Sequence, residues 1–369
     1  MTMEGVDSAT SEVLERFGFE PALFEALRQR VATGELSPES NVVRGVVEPP
    51  SPEDVVRLAA PGEPGYDDAH SAGKDALDRG EVAQIVLAGG MATRFGGIVK
   101  AAVPAVDGRS FLEVKLSETH ALERALSVDV PVALMTSFAT DDAIREHVRE
   151  HGLGEPAIFN QFVSLRLETT GALFGDGDGR PSLYAQGHGD LFQAVRRSGV
   201  LAAFRERGVR YVTVSNVDNL GARVEPAVIG MHVLEGRPFT CEVARKEGDL
   251  GGAPVRVDGL LQLLEGPRFP PSFDQNLVPV FNTNTAIFDL DALDREYDLT
   301  WFYVRKDVDG RVAVQLERVY HEVSSVLPTT YLEVPRRGPR GRFIPIKTPG
   351  DLEHAQGDLR ELLATPPIR

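Results

Sequence analysis

The chain has 369 residues, 42 % of them hydrophobic, which is enough for a sizeable core and for two or three domains or subdomains. A net charge of −16 argues against a duplex nucleic-acid binder, which wants a basic face, yet leaves room for a small anionic ligand held by a few local cations. The single cysteine, Cys241, excludes an internal disulfide framework and fits a reducing cytoplasm; the polar N-terminus MTMEGVDSATSE is no signal peptide, and no run approaches the roughly 18 apolar residues of a membrane span.

Residues 11–34 predict two short amphipathic helices broken near Pro21. Residues 37–80 are rich in Pro, Asp, Glu and Gly and predict an irregular arm with one short helix near Pro52 to Leu58. From residue 82 short apolar runs appear in turn: AQIVLAG, VPVALMTS, PAIFNQF, YVTVSNVD, FTCEVARK and NTAIFDL. Helical patterns such as FLEVKLSETHALERAL, DDAIREHVREHG and LFQAVRRSGVLAAFRERG lie between several of them. Short strands alternating with helices predict a largely parallel α/β sheet covered on both faces. VRVDGLLQLLE and GRVAVQLERVYHEV read as antiparallel additions, and GALFGDGDGRPS as a hairpin or loop. The tail RFIPIKTPGDLEHAQGDLRELL predicts a short strand, a turn and a helix capped near Thr348. These readings divide the chain into an N-terminal arm (1–80), a core (81–300) and a small C-terminal lid (301–369).

The stretch LAGGMATRFGGIVK holds the first chemical signal. Gly89, Gly90, Gly96 and Gly97 follow a predicted strand, so backbone N–H groups there can approach a phosphate or a base without an intervening side chain. Arg94 and Lys100 supply cations for phosphate oxygens. The loop is neither GxxxxGK[ST] nor GxGxxG, and no acidic residue ends a second strand about twenty residues on, which leaves a dehydrogenase as an outsider. A plain glycine-rich turn stays open on the glycines alone. His147 and His151 stand four apart on a predicted helix, a metal spacing in principle. HVREH lacks the glutamate of HExxH, and the charged neighbours give a solvated helix face.

The loop resembles the signature of sugar-nucleotide pyrophosphorylases, L-x-G-G-x-G-T-R-x-G followed by P-K. VPVALMTSFATDD (130–142), YAQGHGDLFQAVRRSGVL (184–201), YVTVSNVDNLGA (211–222), FNTNTAIFDL and GRFIPIKTPGDL (341–352) are similar to further family segments, in the expected order. Together they cover roughly residues 82 to 360 and resemble the UTP–glucose-1-phosphate uridylyltransferase (UDP-sugar pyrophosphorylase) family. The resemblance implies a Rossmann-like, GT-A-type fold with a mixed, mostly parallel central sheet flanked by helices. It implies transfer of a uridylyl group from UTP to a sugar 1-phosphate, by in-line attack on the α-phosphorus, with Mg2+.

The resemblance also implies roles. Lys100, Lys347 and Arg94 would meet the phosphates. Asp218, at the C-terminal end of a predicted strand, would take Mg2+, which prefers oxygen ligands. Leu87, Ala88, Gly89, Gly90, Met135, Gln161 and Gly187 would face the nucleotide. Gln161 can read an imide edge because its amide both donates and accepts. His188 would meet the phosphate of the sugar 1-phosphate; Asn216, Glu265, Asn282, Asn284 and Lys246 would meet the sugar. Val99 replaces the usual proline, Ala92 the third glycine, Thr136 the asparagine of LMNS and Thr285 the second asparagine of NTNN. NQFVSLRLE also lacks the family's Q-x-x-x-P-R. These departures cluster at base and sugar contacts, so another nucleotide or a cyclitol phosphate stays open, as does a non-catalytic nucleotide binder. The family's C-terminal β-helix domain has no counterpart here, so assembly through it is not expected, although a homo-oligomer is possible. Neither nucleic acid nor membrane is an expected partner.

Overall fold

The protein is described by a computed structural model covering residues 7–92, 95–344 and 346–365. Eight strands form its central sheet: β1 (Val55–Arg57), β2 (Val82–Leu87), β3 (Val132–Thr136), β4 (Ala157–Asn160), β5 (Tyr211–Asn216), β6 (Phe239–Arg245), β7 (Val280–Asp289) and β8 (Thr329–Glu333). Their spatial order is β1-β8-β6-β7-β5-β2-β3-β4. Only β7 runs against the rest, pairing antiparallel with β5 and β6. The mixed, mostly parallel sheet expected from the sequence is therefore present.

Both faces of the sheet are covered, which is why its central strands read as continuous apolar runs. All six residues of β2 are buried. Ile85 and Leu87 point into a cluster with Leu191, Phe192, Leu201 and Phe204 from helices α6 (Leu191–Arg197) and α7 (Val200–Glu206). Val86 points the other way, into a cluster with Phe111, Leu112 and Ile144. These belong to α4 (Phe111–Leu126) and α5 (Asp141–Glu150).

Two N-terminal helices, α1 (Ser8–Arg16) and α2 (Pro21–Ala32), pack their apolar residues on Val163, Leu165 and Leu316. Residues 52–58 do not form the expected helix. A 3-10 turn (Pro52–Asp54) leads into β1, whose Val55 and Val56 pair with β8. Residues read as irregular hold instead a full helix, α3 (Tyr66–Asp78), which crosses α8 (Pro226–Glu235). A Cβ on Gly73 would come within 1.8 Å of the Pro226 carbonyl oxygen, so the crossing requires glycine there. The pattern 191–208 is split into two helices at Gly199. Segments on both sides of residues 81–300 thus enter the sheet. The predicted hairpins form at Ala253–Val257 with Leu260–Leu264 and at Phe302–Val308 with Arg311–Glu317. Isolated bridges Leu167–Leu173 and Gly175–Pro181 give residues 171–182 a hairpin path. No strand forms over residues 342–344, whereas Thr348 caps the last helical stretch as expected. No described helix is long and apolar enough to cross a membrane.

Candidate active site

The C-terminal ends of β2 and β5 lie side by side, with Leu87 in register with Asn216. Open parallel sheets place ligands at such ends. The glycine loop leaves β2 there. Ala88 N–H still bonds the Met135 carbonyl at 2.8 Å, and Ser137 Oγ donates to the Gly89 carbonyl at 2.9 Å. Met91–Ala92 then pairs with Ile98–Val99, turning through Gly96 and Gly97, both with positive φ. Arg94 lies outside the described residues. Among the described residues no atom lies within 4 Å of a Cβ built on Gly90. Gly89 is closed: a Cβ there would meet Gln161 Nε2 at 2.2 Å, so the loop backbone and the predicted base-reading amide touch. Met135 is wholly buried in one apolar cluster with Leu87 and Phe159.

The loop brings Lys100 to the turn after β5, where its Nζ donates to Asp218 Oδ2. Both side chains are 21 % exposed. The segment carrying Lys347 is tied to the same turn. Asn219 Nδ2 donates to the Arg342 carbonyl at 3.0 Å, and Ile344 N–H reaches Asn219 Oδ1 at 3.4 Å. Ile346 packs in one apolar cluster with Val99 and Ala101, which flank Lys100, and with Val217, beside Asp218. Lys347 itself is exposed, and its N–H bonds Asp351 Oδ2 at 2.9 Å.

Toward β6 and β7 the sheet register slips between Glu242 and Val243. Thr283 and Asn284 are the extra residues of this bulge, and Asn284 adopts φ 58°. Bulges of this kind re-aim a side chain. Asn284 Nδ2 donates to Asn216 Oδ1 at 2.7 Å, while its own Oδ1 is buried without a partner. Asn282 Oδ1 accepts the Asn284 N–H at 2.9 Å, and Asn282 Nδ2 reaches Glu265 Oε1 at 3.4 Å. Four of the predicted sugar residues are thus one connected row. Burial pushes Glu265 up to about 7, against the Asn282 hydrogen bond that lowers it. Lys246 is not in that row: its Nζ donates to the Gln275 carbonyl at 2.7 Å.

His188 is half-buried, and the loss of solvent around its ring pushes its pKa down to about 4. The Tyr320 N–H donates to its Nδ1 at 3.3 Å, so the neutral ring carries its proton on Nε2 and offers a donor. Its glycine neighbours pack closely on the protein's own backbone. A Cβ on Gly187 would lie 2.6 Å from the Arg318 carbonyl oxygen, and Gly189 N–H bonds that same oxygen at 2.9 Å.

Sequence reasoning missed several residues here. His321 is buried with Nδ1 3.8 Å from Glu265 Oε1, and neither ring nitrogen has a hydrogen-bond partner among the described residues. Arg318 Nη2 donates to buried Asp190 at 2.7 Å, and Asp190 in turn accepts the Phe162 N–H. Lys115 on α4 donates to the carbonyls of Asn219 and Ala222 at 2.7 and 2.6 Å, bracing the turn that presents Asp218. Burial, and then nearby Arg342, pushes Lys115 down to about 7. Arg342 lies between Glu242 and Glu225, whose carboxylates raise its pKa against the effect of burial. Only the apolar spacing of Lys115 on its helix hinted at burial. The others became visible only with the chain folded. A cavity of about 430 Å3 lined by Val130, Pro131, Ala157 and Arg207 lies at the opposite ends of β3 and β4 and holds none of the residues above.

Residues 22–365 match the family model described as UTP–glucose-1-phosphate uridylyltransferase. The chain is 30 % identical over 364 residues to a probable UTP–glucose-1-phosphate uridylyltransferase of Schizosaccharomyces pombe, covering 92 % of this chain and 68 % of the relative. It is 31 % identical to a UTP–glucose-1-phosphate uridylyltransferase of Solanum tuberosum over 75 % of this chain and 61 % of the relative. A solved UDP-glucose phosphorylase of Trypanosoma brucei superposes with a TM-score of 0.73 at 22 % identity, over 92 % of this chain and 76 % of that one. A uridine diphosphate N-acetylglucosamine pyrophosphorylase of the same organism gives 0.72 at 19 %, over 89 % and 75 %. At such identities the structural likeness speaks for the fold.

Proposed function

The chain belongs to the UTP–glucose-1-phosphate uridylyltransferase family, a family of nucleotidyltransferases, and from that premise we propose that it joins UTP and glucose 1-phosphate into UDP-glucose and pyrophosphate in the reducing cytoplasm. The observation that carries this reading is the Lys100–Asp218 pair at the paired ends of β2 and β5, with Lys347 anchored through Ile346 in the same apolar cluster. Both reactants are polyanions, so the chemistry is positioning plus neutralisation of charge, and no covalent nucleophile is required.

On this reading UTP enters over Gly90, the base faces the backbone of Leu87 to Gly90, and Gln161 reads its imide edge. Gly187 faces the base from the other side. Lys100 leaves Asp218 for the nucleotide phosphates and offsets charge on the departing pyrophosphate. Arg94 holds a β- or γ-phosphate oxygen. Asp218 fits Mg2+, a hard ion that takes one or two carboxylates and fills its other positions with phosphate oxygens and water. When bound, Mg2+ supplies neutralisation of phosphate charge. His188 donates from Nε2 to the sugar phosphate, and Asn216, Asn282, Asn284 and Glu265 take hydroxyls. Lys246, held by the Gln275 carbonyl, borders that row. Lys347 touches both reacting phosphates as the C-terminal segment closes and excludes water, which otherwise competes as nucleophile.

A second acceptor class, another sugar or a cyclitol 1-phosphate, is favoured by one observation. Thr285 replaces the family's second asparagine beside Asn284, whose Oδ1, like the ring nitrogens of His321, has no partner among the described residues and is open to the hydroxyls of glucose or of another polyol. The test is pyrophosphate release from the purified chain with Mg2+, across five nucleoside triphosphates and a panel of sugar and cyclitol 1-phosphates. Release with UTP and glucose 1-phosphate, abolished by EDTA, supports the first reading. Release with another pair alone supports the second. UTP binding without release from any pair overturns the catalytic assignment.

A further inference from the structure

The helix pair behind the Lys100 turn carries a second cluster of ligating groups. Glu113 is the third residue of α4. Its carboxylate takes part in a capping box, in which Ser110 N–H donates to Oε2 at 2.7 Å and Ser110 Oγ accepts the Glu113 N–H. Across from it, α5 presents His147, and its C-cap is His151. The expected solvated face holds for His151, whose side chain is 42 % exposed, but not for His147, whose side chain is 12 % exposed and lies against α4. The two imidazole centroids are 4.2 Å apart. One ligand atom from each of Glu113, His147 and His151 falls within 4.8 Å of the others.

The first contacts are arranged by their neighbours. Ser110 Oγ, already an acceptor from Glu113 N–H, lies 2.8 Å from His147 Nε2 and can donate its hydrogen there. In that arrangement the neutral ring carries its proton on Nδ1, and the Nε2 lone pair points to the Ser110 hydroxyl with Glu113 Oε2 at 3.9 Å; a metal ion bound there would take that lone pair over from the hydroxyl. The Glu113 oxygen not held by the cap, Oε1, is 3.0 Å from His151 Nδ1. Two imidazoles four residues apart on one helix, with a carboxylate from a second helix, form a two-nitrogen, one-oxygen set. Such a set suits Zn2+ and neighbouring transition ions, whereas Mg2+ and Ca2+ favour oxygen throughout.

We propose that Glu113, His147 and His151 form a transition-metal site, separate from Asp218, in which Zn2+ or an ion of similar character staples α4 to α5. The remaining coordination positions belong to water. Because α5 packs against the 3-10 turn that begins at Lys100, the bound ion braces the underside of the glycine loop.

The test uses the full chain without a polyhistidine tag and without nucleotide or sugar phosphate, so its outcome is independent of the proposed reaction. Zn2+ binding is read by competition with a chromophoric chelator, and Co2+ binding by its visible absorption. The expected result is one equivalent per chain. His151→Ala, which alters a half-exposed side chain, should weaken binding at least about tenfold, and Glu113→Gln, which keeps a capping amide, should also weaken it. Excess Zn2+ should raise the Tm of the wild-type chain and not that of the His147→Ala/His151→Ala variant. Absence of stoichiometric binding overturns the proposal. So does equal affinity in wild type and His151→Ala, or loss of binding in Asp218→Asn with His151→Ala unaffected.

Discussion

Lys100 and Asp218, 118 positions apart in sequence, are joined by a hydrogen-bonded ion pair between the end of the glycine loop and the turn after β5. The pair neutralises in advance the two charges the proposed reaction must separate. Binding a phosphate chain with its cation exchanges one ion pair for two, Lys100 with phosphate and Asp218 with metal. Lys100→Ala should therefore lower kcat about 100- to 1000-fold, the range for losing one charged donor at a reacting group. Asp218→Asn should shift the Mg2+ concentration needed for half-maximal rate upward. Steady-state rates over a Mg2+ titration measure both, and an unchanged Mg2+ dependence in Asp218→Asn would remove that residue from metal binding.

Lys347 offers a cleaner separation of function from folding. Its side chain is exposed, while Ile346 beside it is buried in the apolar cluster. Lys347→Ala should leave the unfolding free energy from urea denaturation within about 0.5 kcal/mol of wild type, as exposed substitutions usually do. Turnover should fall by two orders of magnitude or more. Ile346→Ala should do the reverse in stability, at a cost of about 2–5 kcal/mol. A loss of stability in Lys347→Ala that matches its loss of turnover would count against a role in the reaction.

The parts legible in the sequence are those set by local pattern. β2 and β5 were readable because burial on both faces makes a continuous apolar run ending in glycine or aspartate. Helix α3 was not, because YDDAHSAGKDALD is polar and its packing depends on Gly73 meeting α8, a fit no single segment displays. The row Asn216–Asn284–Asn282–Glu265 was foreseen as residues but not as a connected row, since it needs the slip between Glu242 and Val243. Arg318, Tyr320 and His321 looked like the end of an alternating strand. Their placement against His188 comes from a contact 132 positions long in sequence.

Glu265 and His188 make opposing contributions to acid stability. His188 is held near 4 when folded, below its ordinary 6.5, so the unfolded chain binds more protons between those values. That contribution is present above pH 6.5 and is lost as pH falls toward 4. Glu265 is raised from 4.5 to about 7, so the folded chain binds the extra proton, and its contribution is lost as pH rises from 4.5 through 7. Glu265→Gln should then raise the unfolding free energy at pH 8 by about 1–3 kcal/mol, from ~1.36 kcal/mol per pH unit. The lower end is favoured because 22 % of the side chain stays in contact with solvent. The gain should vanish near pH 4.5. Denaturation at the two pH values decides, and an equal difference at both would show that Glu265 titrates normally.

Two glycines test what the absence of a side chain is for. A Cβ on Gly230 would stand 1.6 Å from the Ala69 carbonyl oxygen, inside the crossing of α3 and α8. Backbone on both sides leaves nothing soft to move, so Gly230→Ala should destabilise the chain by about 3 kcal/mol, at the upper end for overpacking. A Cβ on Gly90 would meet no atom of the described residues within 4 Å, so Gly90→Ala should fold with wild-type stability. If its bare face exists for UTP, the variant should show a KM for UTP raised about tenfold or more, with KM for the sugar phosphate changed far less. A methyl group at Gly90 that leaves both constants untouched would mean that the nucleotide does not lie over this face of the loop.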